Sequence, residues 1–224
     1  MEVLTLYHGS SAVIAQPQFG LGRPYNDYGR GFYCTEHKEL AREWACAQEG
    51  ADGFANAYEF DPEGFSVLRL SDPAYSVLHW LALLLEHRIV DARTPVAIEG
   101  KKYLREHFPI PVESYDMVIG WRADDSYFTF ARAFLRNDIS LEQLTRAMRL
   151  GDLGEQVVLK SERAFRRIRF LGAEAVPAHV YYPRRLARDE RARALYREEA
   201  QRQGIEGVYM RDILQGRAED YAGL

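Results

Sequence analysis

The segments with β-strand character in this chain lie towards its two ends, and those with helical character lie mostly in its middle. That order excludes the regular strand–helix alternation of a doubly wound parallel sheet and predicts an α+β fold. Residues 3–7 are β-branched and aromatic and run into the turn His8-Gly9-Ser10, which reads as a strand entering a tight turn. Residues 17–28 hold Gly20, Gly22, Pro24 and Asn26 and read as a loop. The stretch 29–35 reads as a short aromatic strand, and Thr35 is placed to cap a helix running to about Gln48. Residues 54–60 and 65–70 read as two strands around a turn at 61–64. Helices are expected over 73–90 and 125–136, and around Leu141, Leu144 and Met148. Strands are expected at 115–121 and 156–159. Ser161 then caps a helix through Arg167, and final strands are expected at 170–176 and 179–182.

A chain of 224 residues with 14 Tyr, 11 Phe and 3 Trp can bury a full core, so disorder is excluded as its main state. The net charge of −4 argues against a general nucleic-acid binder. Cys34 and Cys46 cannot form a disulfide framework or a four-thiolate zinc site, and reduced thiols are expected. The six histidines, at 8, 37, 79, 87, 107 and 179, lack ligand spacing, so no metal is expected. The opening residues are too short and polar for a signal peptide, and the apolar run at 77–85 is about half of what a bilayer needs. A cytoplasmic protein that does not enter membranes is expected. Residues 160–202 carry 12 basic and 6 acidic side chains, a local excess of 12 − 6 = +6. A solvated helix over 184–202, laced by pairs such as Asp189 with Arg193, is the favoured reading. A phosphate-holding basic surface is the sharper one.

Three separated pieces carry chemistry. They are Leu6-Tyr7-His8-Gly9-Ser10, then Tyr28-Gly29-Arg30-Gly31-Phe32-Tyr33 followed by Trp44, and then Glu155-Gln156. Each alone is weak. Together they resemble the ADP-ribosyltransferases, in the branch typified by poly(ADP-ribose) polymerases and diphtheria toxin. That branch has a His-Gly-Ser/Thr turn, a Gly-x-Gly-x-Tyr strand, an aromatic residue eleven positions beyond the tyrosine, and a late strand with a third catalytic position. The chain is also similar to a group of bacterial proteins that share the block 27–33, an Asp-Asp pair (here Asp124-Asp125) and the late motif 153–158.

The resemblance implies one ADP-ribosyltransferase-like domain over residues 1–224, with a catalytic core at about 3–182 and a helical extension at 183–224. It implies a split core of two small packed sheets, a helical insertion in the middle and an Arg-rich C-terminal helix. NAD would be the substrate, without a metal. By carry-over, the Gly9 backbone would grip the nicotinamide amide, and the rings of Tyr33 and Trp44 would sandwich nicotinamide. His8 would donate to the adenosine ribose with support from Ser10, and Arg23, less so Arg30, would meet the diphosphate. Cys34, facing away from Tyr33, receives no role.

Two positions depart from the family pattern. Ala41 stands where the polymerases have serine, and the third catalytic position falls on Gln156 or Glu155. The two must face opposite sides of a strand, and the bacterial group favours Gln156. An amide can hydrogen-bond a ribose hydroxyl but supplies no charge and no base. A carboxylate from Asp27, Asp124 or Asp125 would have to provide those, or else a single ADP-ribose is transferred without chain elongation. The expected activity is mono-ADP-ribosyl transfer to a macromolecular acceptor, protein before nucleic acid. The expected setting is a bacterial toxin with a cognate antitoxin, or phage defence. A weakly catalytic module that senses NAD or ADP-ribose stays open because of Gln156. An RNA 2′-phosphotransferase-like enzyme is a further alternative, although its basic set of Arg and His finds no match here.

Overall fold

The computed structural model describes residues 2–122, 125–150, 155–201 and 207–217. Among the described residues, seven strands form two small sheets. The first contains β1 (Leu4–Ser10), β3 (Gly53–Phe60) and β7 (Arg169–Val176), in the order β1-β3-β7 and antiparallel throughout. The second contains β2 (Phe32–Cys34), β6 (Glu155–Leu159), β5 (Met117–Trp121) and β4 (Val67–Arg69), in that order. Its β4–β5 pair is parallel and the others antiparallel. The strands on either side of the turn at 61–64 therefore belong to different sheets. A two-bond bridge between Tyr7 and Thr35, at 2.7 and 2.9 Å, stitches the sheets together at one corner.

Alternation along β6 sets the two faces of the second sheet. Val157 and Leu159 join Leu6, Phe32, Tyr58, Phe60 and Ile119 in the core between the sheets. Val158 turns the other way, into a larger helical core with Tyr28, Leu68, Trp80 and Phe134. That core is built from α2 (Val77–His87), α3 (Pro95–His107), α4 (Asp125–Leu135), α5 (Leu141–Leu150) and the short α8 (Met210–Leu214). Helix α1 (Lys38–Ala45) lies against β1 and β3, and α6 (Glu162–Arg167) follows β6. Among the described residues, no helix is long and apolar enough to cross a membrane.

Several local expectations need correction. Residues 179–182 are not a strand: they open α7 (Ala178–Gln201), which runs on through Pro183. Asp52 Oδ1 accepts the Ala178 N–H at 2.7 Å, and Pro177 O accepts from the N–H groups of Val180 and Tyr181. These start the helix despite its β-prone Val-Tyr-Tyr, and Tyr181 and Tyr182 pack on the small core at Ala45 and Cys46. The expected core boundary at 182 thus falls inside one helix. Helix α1 starts two residues late and ends at Ala45, three short of Gln48; the Thr35 backbone is committed to the bridge with Tyr7, and its hydroxyl accepts from the His37 N–H. Helix α3 has no counterpart among the elements expected from sequence, and α8 falls within the helical extension expected at 183–224. Both cysteines are buried and free.

Candidate functional site

A cleft of about 930 Å³ opens where the β1 turn, the loop before β2, helix α1, strand β6 and helix α7 meet. Of the residues singled out by sequence, His8, Gly9, Arg23, Asp27, Tyr33, Trp44 and Gln156 line it. Ser10, Arg30, Ala41 and Glu155 do not.

Gly9 sits where α1 crosses β1. A Cβ there would lie 2.0 Å from Ala41 O and 2.8 Å from the Trp44 Cβ, so only glycine lets the helix bring Trp44 down onto the strand. The Tyr7 backbone bonds to Thr35, away from β3, and by strand alternation the Gly9 N–H and C=O point to that same edge. Ser10 is spent on the turn. Its hydroxyl donates to Ala12 O at 2.6 Å and accepts from the buried Asn56 amide at 2.9 Å.

His8 Nδ1 lies 2.7 Å from the Tyr33 carbonyl oxygen, which can only accept. The proton therefore sits on Nδ1. Burial holds the imidazole below its usual range, although the bond to Tyr33 opposes this. The neutral ring then offers Nε2 to the cleft as an acceptor.

Tyr33 is fixed through its phenol, which donates to Gly29 O at 2.7 Å and accepts from the Tyr28 N–H at 3.0 Å. Burial pushes that phenol far above the ordinary tyrosine range. Gly29 makes the turn at φ +71°, a left-handed conformation open to glycine. Lys160, at the end of β6, donates to Tyr28 O and Arg30 O at 2.7 Å each and to Glu113 at 2.8 Å, which pins the same turn from beneath. On the opposite wall the Arg122 guanidinium stacks 4.4 Å from the centre of the Trp44 ring.

Gln156 shares its face of β6 with Val158, and Glu155 lies on the other. The Gln156 Nε2 group donates to Asp27 Oδ2 at 3.1 Å and to Trp121 O at 3.2 Å. Both partners only accept, so the NH₂ end of the amide must face them, and its oxygen is what Gln156 offers to the cleft. Asp27 and Gln156 are 6% and 4% exposed, so this contact is a buried one. Asp27 Oδ1 also lies 3.6 Å from Arg88 Nε. Among the described residues, the buried Glu155 Oε1 has no hydrogen-bond partner.

Sequence reasoning missed Glu43, Arg88, Arg122, Arg185, Arg188 and Asp189, all of which line the cleft. Glu43 adjoins Trp44 on α1 and takes both prongs of Arg188 from α7, at 2.6 and 2.8 Å. The basic stretch is held by pairs to other elements, Arg184–Glu39 and Arg188–Glu43 among them. Helix periodicity had no means of showing these. Arg30 donates to Gly20 O, which ties the loop to itself. Asp124, and the side chain of Asp125, lie outside the described residues. Among the described residues, no group of His, Cys, Asp or Glu could hold a metal ion.

A family model described as protein of unknown function (DUF3990) matches residues 4–170. The matched span carries the β1 turn, the Tyr33 strand, α1 and β6, and stops short of α7. No curated protein and no solved structure matches.

Proposed function

We propose that this chain, which belongs to the DUF3990 family, transfers ADP-ribose from NAD to a macromolecular acceptor and releases nicotinamide. The observation that carries this reading is the convergence of His8, Gly9, Tyr33, Trp44 and Gln156, from four separate elements, on one cleft. The two packed sheets suit an ADP-ribosyltransferase-like core. The edge of β1 at Gly9 presents an N–H and a C=O, the pair a carboxamide needs. Tyr33 and Trp44 present aromatic surface suited to a planar cationic ring, and a planar cation, the Arg122 guanidinium, stacks on Trp44. Arg23 lines the same cleft and suits a diphosphate. The Gln156 oxygen and His8 Nε2 suit ribose hydroxyls.

The acceptor is a protein before a nucleic acid, and the setting is the cytoplasm of a bacterium, as a toxin restrained by an antitoxin or as phage defence. A binding module for NAD or ADP-ribose is the second reading, favoured by the uncharged amide at position 156. The test is nicotinamide release from NAD by the purified chain, with tagged NAD to show whether protein, RNA or DNA is labelled. Release that Trp44→Ala weakens several-fold through NAD affinity is expected, since stacking adds about 0.5–1.5 kcal/mol beyond burial. NAD binding without release would leave the module. No NAD binding at all would end both readings.

A further inference from the structure

We infer that Asp27 supplies the negative charge of this site, its carboxylate standing against the Gln156 amide in the wall of the cleft. This rests on the transferase reading. Bond cleavage at a ribose C1′ leaves positive charge on the sugar, and a site that accelerates it must meet that charge with a fixed negative one. Gln156 has none. Glu155 sits on the opposite face of β6 and does not line the cleft. Glu43 lines the cleft, but the two bonds from Arg188 neutralise it. Asp189 also lines it, on α7 with Arg185 and Arg188, and so in cationic surroundings.

Among the described residues, Asp27 differs from all three. Its Oδ2 accepts from a neutral amide at 3.1 Å, and its ion pair with Arg88 is a loose one, 3.6 Å from Oδ1 to Nε, where the Glu43–Arg188 fork closes at 2.6 and 2.8 Å. A neutral donor orients a carboxylate without cancelling its charge, and burial of the pair keeps that charge poorly screened. Positions 27 and 156 thus have complementary roles. The amide oxygen holds a ribose hydroxyl, and the carboxylate meets the charge.

In the step, the C1′–N bond breaks and its electron pair leaves with nicotinamide, which becomes neutral. A hydroxyl or amine of the acceptor then gives a lone pair to C1′. Its proton passes to the Asp27 carboxylate and on to water. Nothing is oxidised or reduced.

The test uses the full chain and measures NAD affinity and nicotinamide release separately, with thermal unfolding as a check on folding. Asp27→Asn keeps the shape and an acceptor for Gln156. It should hold NAD affinity within about threefold and lower turnover on the order of 10²-fold. Gln156→Glu alone should also lose turnover, because it sets two carboxylates within hydrogen-bond reach and forces one to take up a proton. Asp27→Asn with Gln156→Glu moves the charge across the same hydrogen bond, and should recover at least about tenfold over Asp27→Asn. The inference is overturned if Asp27→Asn turns over like wild type, if it loses affinity in step with turnover, or if the double variant recovers nothing. A wild-type chain that releases no nicotinamide would instead remove the transferase reading, and this inference with it.

Discussion

On the α1–α7 wall of the cleft, Glu43 is gripped by both prongs of Arg188 at 2.6 and 2.8 Å. On the wall made by the loop before β2 and by β6, Asp27 meets an amide at 3.1 Å and a guanidinium at 3.6 Å. Both carboxyl groups are nearly buried, with 8% of each side chain exposed. The first arrangement is a closed fork in which opposite charges face each other in ideal geometry, so it locks α7 onto α1 and contributes little field to the cleft. The second is looser: a neutral amide orients the carboxylate, and its ion pair with Arg88 spans 3.6 Å. A buried charge kept in that state costs stability, and it persists where the surrounding structure holds it. The difference makes the Glu43 wall a rigid clasp between two helices and leaves the Asp27 wall as the place for the charge proposed above.

The largest effect should come from opening the fork. Arg188→Ala leaves Glu43 buried and unpaired, so unfolding should lose about 3 kcal/mol, the low end for a broken buried pair because Arg188 keeps some solvent contact. Glu43→Gln with Arg188→Met should cost much less than Arg188→Ala, since no charge is then stranded. Arg88→Met at the other wall should cost less than Arg188→Ala, given the 3.6 Å separation and the amide that Asp27 keeps as a partner. Chemical denaturation of the three variants decides this. Equal losses at both walls would break the comparison.

A smaller effect is expected at Gln156. Gln156→Ala removes the donor to Asp27 and to the Trp121 carbonyl, and should cost about 1–2 kcal/mol. It should abolish turnover, whereas Glu155→Ala should leave turnover nearly intact because that side chain is on the far face. A dead Glu155→Ala beside an active Gln156→Ala would reverse the two faces of β6.

The smallest effect separates the imidazole of the cleft from its carboxylates. Burial holds His8, His79 and His87 each below the ordinary value of 6.5. Below pH 6.5 the unfolded chain takes up protons that the folded chain resists, so stability must fall as pH drops through that value towards the lowered ones. Above it, this contribution is constant. Each group adds at most about 1.4 kcal/mol per pH unit to the slope. His8→Gln should flatten the slope between pH 7 and 5.5 by up to one such share. An unchanged slope would mean that His8 takes up its proton as readily in the folded chain as in the unfolded one.

Much of the fold is legible in the sequence because it rests on local chemistry. The β1 turn, the short β2 strand and the Ser161 cap all come from residue types whose backbone preferences act within a few positions; the Ser161 hydroxyl indeed accepts the Ala164 N–H. Helix α3, although not expected, carries a local signal of the same kind. Thr94 followed by Pro95 is a cap signature, and the Thr94 hydroxyl accepts the Ala97 N–H. Residues 179–182 misled because side-chain β-propensity was outweighed by Asp52 and Pro177, which accept the first N–H groups of α7.

That Glu155 and Gln156 face opposite ways follows from residue order alone, because a strand alternates. So does the presence of aromatic surfaces at Tyr33 and Trp44 on adjacent elements. Which face of β6 meets the cleft was settled by packing. Val157 and Leu159 are drawn into the core between the sheets, and that leaves Gln156 on the side of Tyr28 and Trp80. The same holds for the contacts that give each residue its charge state and direction. His8 received its tautomer from Tyr33 O, Asp27 its amide partner from a strand 129 positions away, and Glu43 its guanidinium from α7. Hydrogen bonds and ion pairs act over about 3 Å, and separation along the chain places no bound on which groups packing brings that close.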